Sequence, residues 1–105
     1  MTIRGRPIET SFTPGVDGFV TVRCIYRMWW NIGGCGGGVF REQSSVVDYG
    51  PLQGPQKLTE QLMTAEYSFG VTAGSLVKVG LAANSGSPYN MNFYDLNLTA
   101  DFTPT

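Results

Sequence analysis

The chain has 105 residues, 42% of them hydrophobic and 14% charged, and seven basic side chains against eight acidic ones leave a net charge of −1. That length suits one domain with one core, and the missing basic excess argues against nucleic acid as a partner. Histidine is absent, which removes the commonest general base and the commonest metal ligand.

Residues 1–7, MTIRGRP, read as an extended arm in front of a single domain spanning residues 8–105. Pro7 restricts Arg6 to extended conformations, and Gly5 loosens the approach. Ile8 to Phe12 form a short first strand that stops at Pro14-Gly15, and Asp17-Gly18 supplies a turn. The next stretch, FVTVRCIYRMWWNI at residues 19–32, reads as one long strand. Side chains alternate along a strand. Val20, Val22, Cys24, Tyr26, Met28, Trp30 and Ile32 therefore share a core face, while Phe19, Thr21, Arg23, Ile25, Arg27 and Trp29 share the other.

The run GGCGGG at residues 33–38 reads as a flexible connection. Val39 to Glu42 and Ser45 to Tyr49 are two short strands, or one bent strand. GPLQGP at 50–55 is a loop. Lys57 to Thr64 is ambiguous between a helical turn and a strand, and is read as the start of a strand reaching Val71. Ala65, Tyr67, Phe69 and Val71 alternate as an inward face, Ala73-Gly74-Ser75 turns the chain, and Val77, Val79, Leu81 and Ala83 alternate again. After the polar loop Asn84 to Pro88, a last strand runs from about Met91 to Phe102. Its Leu96, Leu98, Ala100 and Phe102 point in, and its Asp95, Asn97, Thr99 and Asp101 point out. Seven or eight closely spaced strands without a convincing helix predict an all-β fold, an antiparallel β-sandwich of jelly-roll or Greek-key type.

The residues offer little to a catalyst. No G-x-S-x-G elbow occurs, and no histidine is available to activate Cys35. The glycine run lacks the following lysine and helix of a phosphate loop, so it reads as backbone that only glycine adopts. Asp95, Asn97, Thr99 and Asp101 lie along one strand, which cannot wrap a calcium ion. No cofactor or metal is expected, and the chain is not expected to be an enzyme. Cys24 and Cys35 allow one internal disulfide; a reducing compartment would keep both as thiols.

Binding is the remaining class. Arg23, Ile25, Arg27 and Trp29 mix guanidinium with large apolar groups on an outward face, and arginine and tryptophan are enriched at protein interfaces. Arg4 and Arg6 on the arm extend this candidate protein-binding set. The bland alternative is that the arginine stems cover Ile25 within the monomer. A carbohydrate site is the second candidate, with Trp29, Tyr89, Asn90, Asn92, Tyr94 and Asp95 supplying aromatic platforms, amides and a carboxylate. Its bland alternative is that Tyr89 and Phe93 close the end of the core. The N-terminal sequence lacks a secretion signal, and no apolar run approaches the ~18 residues of a membrane span.

The second half, EYSFGVTAGSLVKVGLAANSGSPYNMNFYDLNLTADF, resembles small β-sandwich proteins from the virions of tailed bacteriophages, the head-decoration and minor tail proteins. Shared features are a strand, an Ala-Gly-Ser turn, a strand, a Ser/Gly/Asn loop, a final strand and a Thr/Pro tail. They cover about a third of the chain and include no diagnostic motif. The resemblance implies a structural subunit of a virion that acts by protein assembly; the missing secretion signal implies a protein made in the cytoplasm and released by lysis, and the near-zero net charge makes homo-oligomers expected. Lectins and other carbohydrate-binding modules share the same look, and a lectin-like β-sandwich is the alternative expectation.

Overall fold

The computed structural model describes residues 3–30, 35–52, 61–85 and 91–105. They form seven strands: β1 (Ile3–Phe12), β2 (Gly18–Trp30), β3 (Cys35–Gln43), β4 (Val46–Tyr49), β5 (Gln61–Val71), β6 (Val77–Ser85) and β7 (Met91–Pro104). A four-stranded sheet has the order β1-β6-β3-β4, and a three-stranded sheet has the order β5-β2-β7. All pairings are antiparallel. The protein is therefore an all-β sandwich. Only the β3–β4 connection stays within a sheet; the others cross from one layer to the opposite one.

The period-2 pattern of β2 sets the core. Val20, Val22, Cys24, Tyr26 and Met28 are fully buried and face Val39 of β3 and Val77, Val79 and Leu81 of β6, with Ala65, Phe69 and Val71 from β5. Each buried valine, leucine, methionine or phenylalanine contributes about 1.5–3 kcal/mol over its exposed state. β2 can afford two unlike faces because it is the central strand of its sheet: one face meets the other layer and one does not.

One end of the sandwich is tied by hydrogen bonds. The Asp17 carboxylate accepts from the Ala73 N–H at 2.8 Å, and its carbonyl accepts from the Thr105 N–H at 3.1 Å. The Gly74 N–H donates to the Pro14 carbonyl at 2.9 Å. Buried Gln43 donates to the Thr72 and Ser75 carbonyls and accepts from the Thr72 N–H. These bonds satisfy loop backbone that would otherwise lose water without compensation.

Three expectations need correction. The stretch read as an arm is strand from Ile3 onward, paired with β6 through bulges near Gly5 and between Gly5 and Ile8. Bulges admit Gly5 and Pro7 into a strand that periodicity alone would start later. From Cys35 on, the glycine run is also strand rather than a loose connection, paired with β6 from Cys35↔Ser85 to Gly38↔Ala82. Glycine leaves the neighbours close there: a Cβ on Gly37 would meet the Tyr26 hydroxyl at 3.1 Å, and one on Gly38 would meet Leu52 and the Pro51 carbonyl at 3.1 Å. The hairpin that joins β3 to β4 turns at Ser44 and Ser45, both at positive φ (52° and 66°), the geometry of a two-residue loop. Finally, Tyr67 and Ala100 alternate as read but stay exposed, because β5 and β7 are edge strands that the opposite layer does not fully cover. Residues 31–34, 53–60 and 86–90, including Ile32, Lys57 and the loop before Met91, lie outside the described residues.

Candidate protein-docking face

The outer face of the β5-β2-β7 sheet is built by register. Arg23 on β2 lies between Glu66 of β5 and Thr99 of β7, Ile25 between Thr64 and Asn97, and Arg27 between Leu62 and Tyr94. Arg23 and Arg27 are exposed and Ile25 is half-buried, on the side opposite the buried Cys24 and Tyr26. Leu62, Phe19 and Tyr94 are 61%, 50% and 42% exposed. Three large apolar groups and two guanidinium groups thus share one sheet surface.

Electrostatically this face differs from the stripe that the sequence suggests. The Arg23 Nε lies 3.8 Å from a Glu66 carboxylate oxygen, and the Arg27 Nε lies 3.3 Å from an Asp95 oxygen. Each arginine is matched by an acid on a neighbouring strand, so the face carries no local positive excess. Such exposed pairs contribute about 0–1 kcal/mol and are screened by salt. They orient the guanidinium groups more than they hold the fold. Between Ile25 and Arg27 the pairing shifts, because β7 carries an extra residue there. Asp95 sits at this bulge with φ at +51°, a conformation aspartate tolerates better than most residues. The bulge brings its carboxylate to Arg27 beside exposed Tyr94. Below the arginines, the Thr21 and Ser68 hydroxyls are hydrogen-bonded across the strands at 2.8 Å.

Other candidate residues are distributed differently. Trp29 is opposite Asn92 in the β2–β7 register, one row beyond Arg27 and Tyr94; the side chains of Trp29 and Asn92 lie outside the described set, as do Tyr89 and Asn90 altogether. Arg4 belongs to β1 in its backbone. Arg6 is folded back on its own sheet: its guanidinium stacks 4.1 Å from the Phe40 ring centre, pairs with Glu42 at 2.7 Å and reaches Glu9 at 3.4 Å. Arg6 therefore belongs to the opposite layer from Arg23 and Arg27.

Sequence reasoning also passed over Arg41. It donates to the Gly70 carbonyl at 2.8 Å, pairs with Asp48 and stacks over Phe69, joining β3 and β4 to the edge of β5. Its position between Phe40 and Glu42 carried no periodic signal for this bridging role.

Cys24 is fully buried with a free thiol, and burial pushes that thiol up to about 11. A thiol so protonated is inert near neutrality. Burial, then the nearby Cys24, pushes Tyr26 up to about 12, and its hydroxyl has no hydrogen-bond partner among the described residues. No helix of the described residues is long and apolar enough to cross a membrane.

Comparison of the chain with protein-family models, with curated proteins and with solved structures finds no match.

Proposed function

We propose that this protein is a non-enzymatic structural subunit of a virion, a capsid-decoration or tail component, which joins its assembly through the outer face of the β5-β2-β7 sheet. The carrying observation is the Leu62–Arg27–Tyr94 row, where two exposed apolar side chains flank an arginine across three strands. Buried aromatic and arginine anchors supply most of the energy in protein interfaces. A face whose two guanidinium groups are paired with acids and which also carries Asp101 suits a protein surface better than a polyanion. The resemblance of residues 66–102 to small phage virion proteins supports the particular assembly, and the lack of histidine throughout the chain supports a role without catalysis.

The test is co-purification with virions from the lysate in which the chain is made. Wild-type protein is expected in particles at fixed stoichiometry. Changing Arg27 and Trp29 together to alanine should reduce incorporation by about tenfold or more, the loss of one or two interface anchors, with an unchanged melting temperature. A chain that stays outside particles sinks the virion reading, and undiminished incorporation of the double variant removes the face from it.

A second reading, a sugar-binding sandwich, draws on the bulge that sets the Asp95 carboxylate beside Tyr94 and Arg27. An aromatic ring next to a carboxylate can stack on and hydrogen-bond a pyranose. Specific binding on a glycan array, lost in Tyr94→Ala, would put this reading first; an empty array would dismiss it.

A further inference from the structure

The sandwich has four edge strands, and they are not equally protected. An exposed edge offers unpaired N–H and C=O groups to any other strand, and proteins blunt such edges with proline, charge, bulges or brevity. β1 carries Pro7 and two register breaks. β4 has four residues. β5 is crossed by Arg41 on the Gly70 carbonyl, and a Cβ on Gly50 would lie only 2.8 Å from Tyr67 Cβ. β7 is different. Beyond its Asp95 bulge it runs in unbroken register from Asn97 to Pro104, with Asp101 as its one charge and no proline before Pro104.

The hydrogen bonds say which groups β7 leaves open. Thr105 donates to Asp17, the pair that continues the Gly18↔Pro104 register. In an antiparallel ladder the bonded pairs alternate. Thr103, Asp101, Thr99 and Asn97 therefore turn their backbone groups toward β2, while Phe102, Ala100 and Leu98 turn theirs away from it. Among the described residues no strand receives them. The inward side chains along this edge are also incompletely covered: Leu96, Leu98 and Phe102 are half-buried, as are Ile8 and Phe12 facing them from β1, and Ala100 is exposed.

We propose that β7 pairs with β7 of a second copy, antiparallel about a two-fold axis at Thr99, joining the two three-stranded sheets into one continuous sheet. The register follows from self-complementarity. With the axis at Thr99, Leu98 meets Ala100 of the other copy, Leu96 meets Phe102, and Asn97 meets Asp101, an amide opposite a carboxylate. Centring the pair on Leu98 instead would set Asp95 against Asp101, a like-charge clash. Centring it on Ala100 would oppose Leu96 to Pro104, which has no N–H to give. A two-fold contact of this kind uses the same patch on both copies and closes on itself. A net charge of −1 puts little repulsion in its way.

The pairing uses the edge of the sheet and leaves its outer face open, so it stands whether or not that face binds a virion partner. Sedimentation equilibrium on the whole chain tests it. Wild type is expected to give the dimer mass. Ala100→Pro removes an N–H that β2 does not use, at an edge position where proline is tolerated, and should give a folded monomer whose melting temperature no longer rises with protein concentration. Asn97→Asp places two pairs of like charges across the axis and should weaken the dimer about 2- to 30-fold. Asn97→Asp combined with Asp101→Asn restores one acid per pair and should recover the wild-type constant. Because both of these sit on the solvated face, they decide the question if the proline variant fails to fold. A wild-type monomer up to about 1 mM, a range in which even weak pairing shows, overturns the proposal. So does a folded proline variant that still dimerises, or a double variant no tighter than Asn97→Asp.

Discussion

Replacing Gly80 with alanine should break the contact between β1 and the rest of the sandwich. Gly80 lies on β6 opposite Glu9 of β1 and Phe40 of β3. A Cβ there would overlap the Ile8 carbonyl oxygen and lie 2.8 Å from Glu9 Cα and 3.0 Å from Glu9 Cβ. The nearest atoms are backbone, so no rotamer change relieves the clash, and β1 must lift from β6. Overpacking of this kind costs about 1–3 kcal/mol, and each ladder hydrogen bond weakened as the strand lifts adds about 1 kcal/mol. A total of about 3 kcal/mol is a large share of the 5–15 kcal/mol that holds a domain of this size together. At roughly 4–8 °C per kcal/mol, the melting temperature should fall by about 12–24 °C. Gly70→Ala is the control: its Cβ would meet only a Phe19 ring carbon at 4.0 Å, so stability should stay the same or rise by up to about 1 kcal/mol. Calorimetry measures both variants, and hydrogen exchange should show Ile8 to Ser11 losing protection while β5 keeps it. Equal melting temperatures for the two variants would refute the claim that backbone proximity at Gly80 sets the cost.

Leu81→Ala, in the fully buried centre of β6, should destabilise by about 2–5 kcal/mol in urea unfolding; a loss under about 1 kcal/mol would mean that the two layers are not packed there. At the β7 bulge, Asp95→Val should cost about 1–2 kcal/mol because φ is positive, whereas Asp95→Gly should be close to neutral, since the Arg27 pair it loses is exposed. Equal losses in the two would point to the ion pair instead of the backbone. Alkali should destabilise the protein through Cys24. Its ordinary value of 9.0 is raised to about 11 in the fold, so above pH 9 the unfolded chain gives up a proton that the native state retains. Stability is full below pH 9 and drains as pH climbs toward 11. Cys24→Ala should flatten that limb of a pH–melting curve, and an unchanged slope would count against thiol burial as its cause.

How much of this was legible in the residues depends on which physical constraint was local. Alternation along residues 19–28 was enough to assign Val20 to Met28 inward and Arg23 to Arg27 outward, because pleat geometry acts on each residue independently of its neighbours in space. The two-layer, all-β architecture followed from strand length, turn residues and the lack of a helical period. Cross-strand partners were not legible. Nothing in the sequence says that Glu66, more than forty positions away, would face Arg23, or that an extra residue near Asp95 would carry its carboxylate to Arg27. Nor could local pattern show that Arg6 would fold over Phe40, since this depends on a bulge in β1 and on the pairing of β1 with β6 beside β3.

By itself, then, the sequence determined which side chains must leave water and the period at which they do so, and hence strands in two layers with one mixed apolar and basic face. Only the tertiary structure decided the order of the strands, the acids that neutralise that face, and which edge was left open. Those outcomes depend on contacts between residues far apart in the chain. Burial is a property each residue carries into folding; register and edge exposure belong to pairs of strands and come into being only once the sheets are assembled.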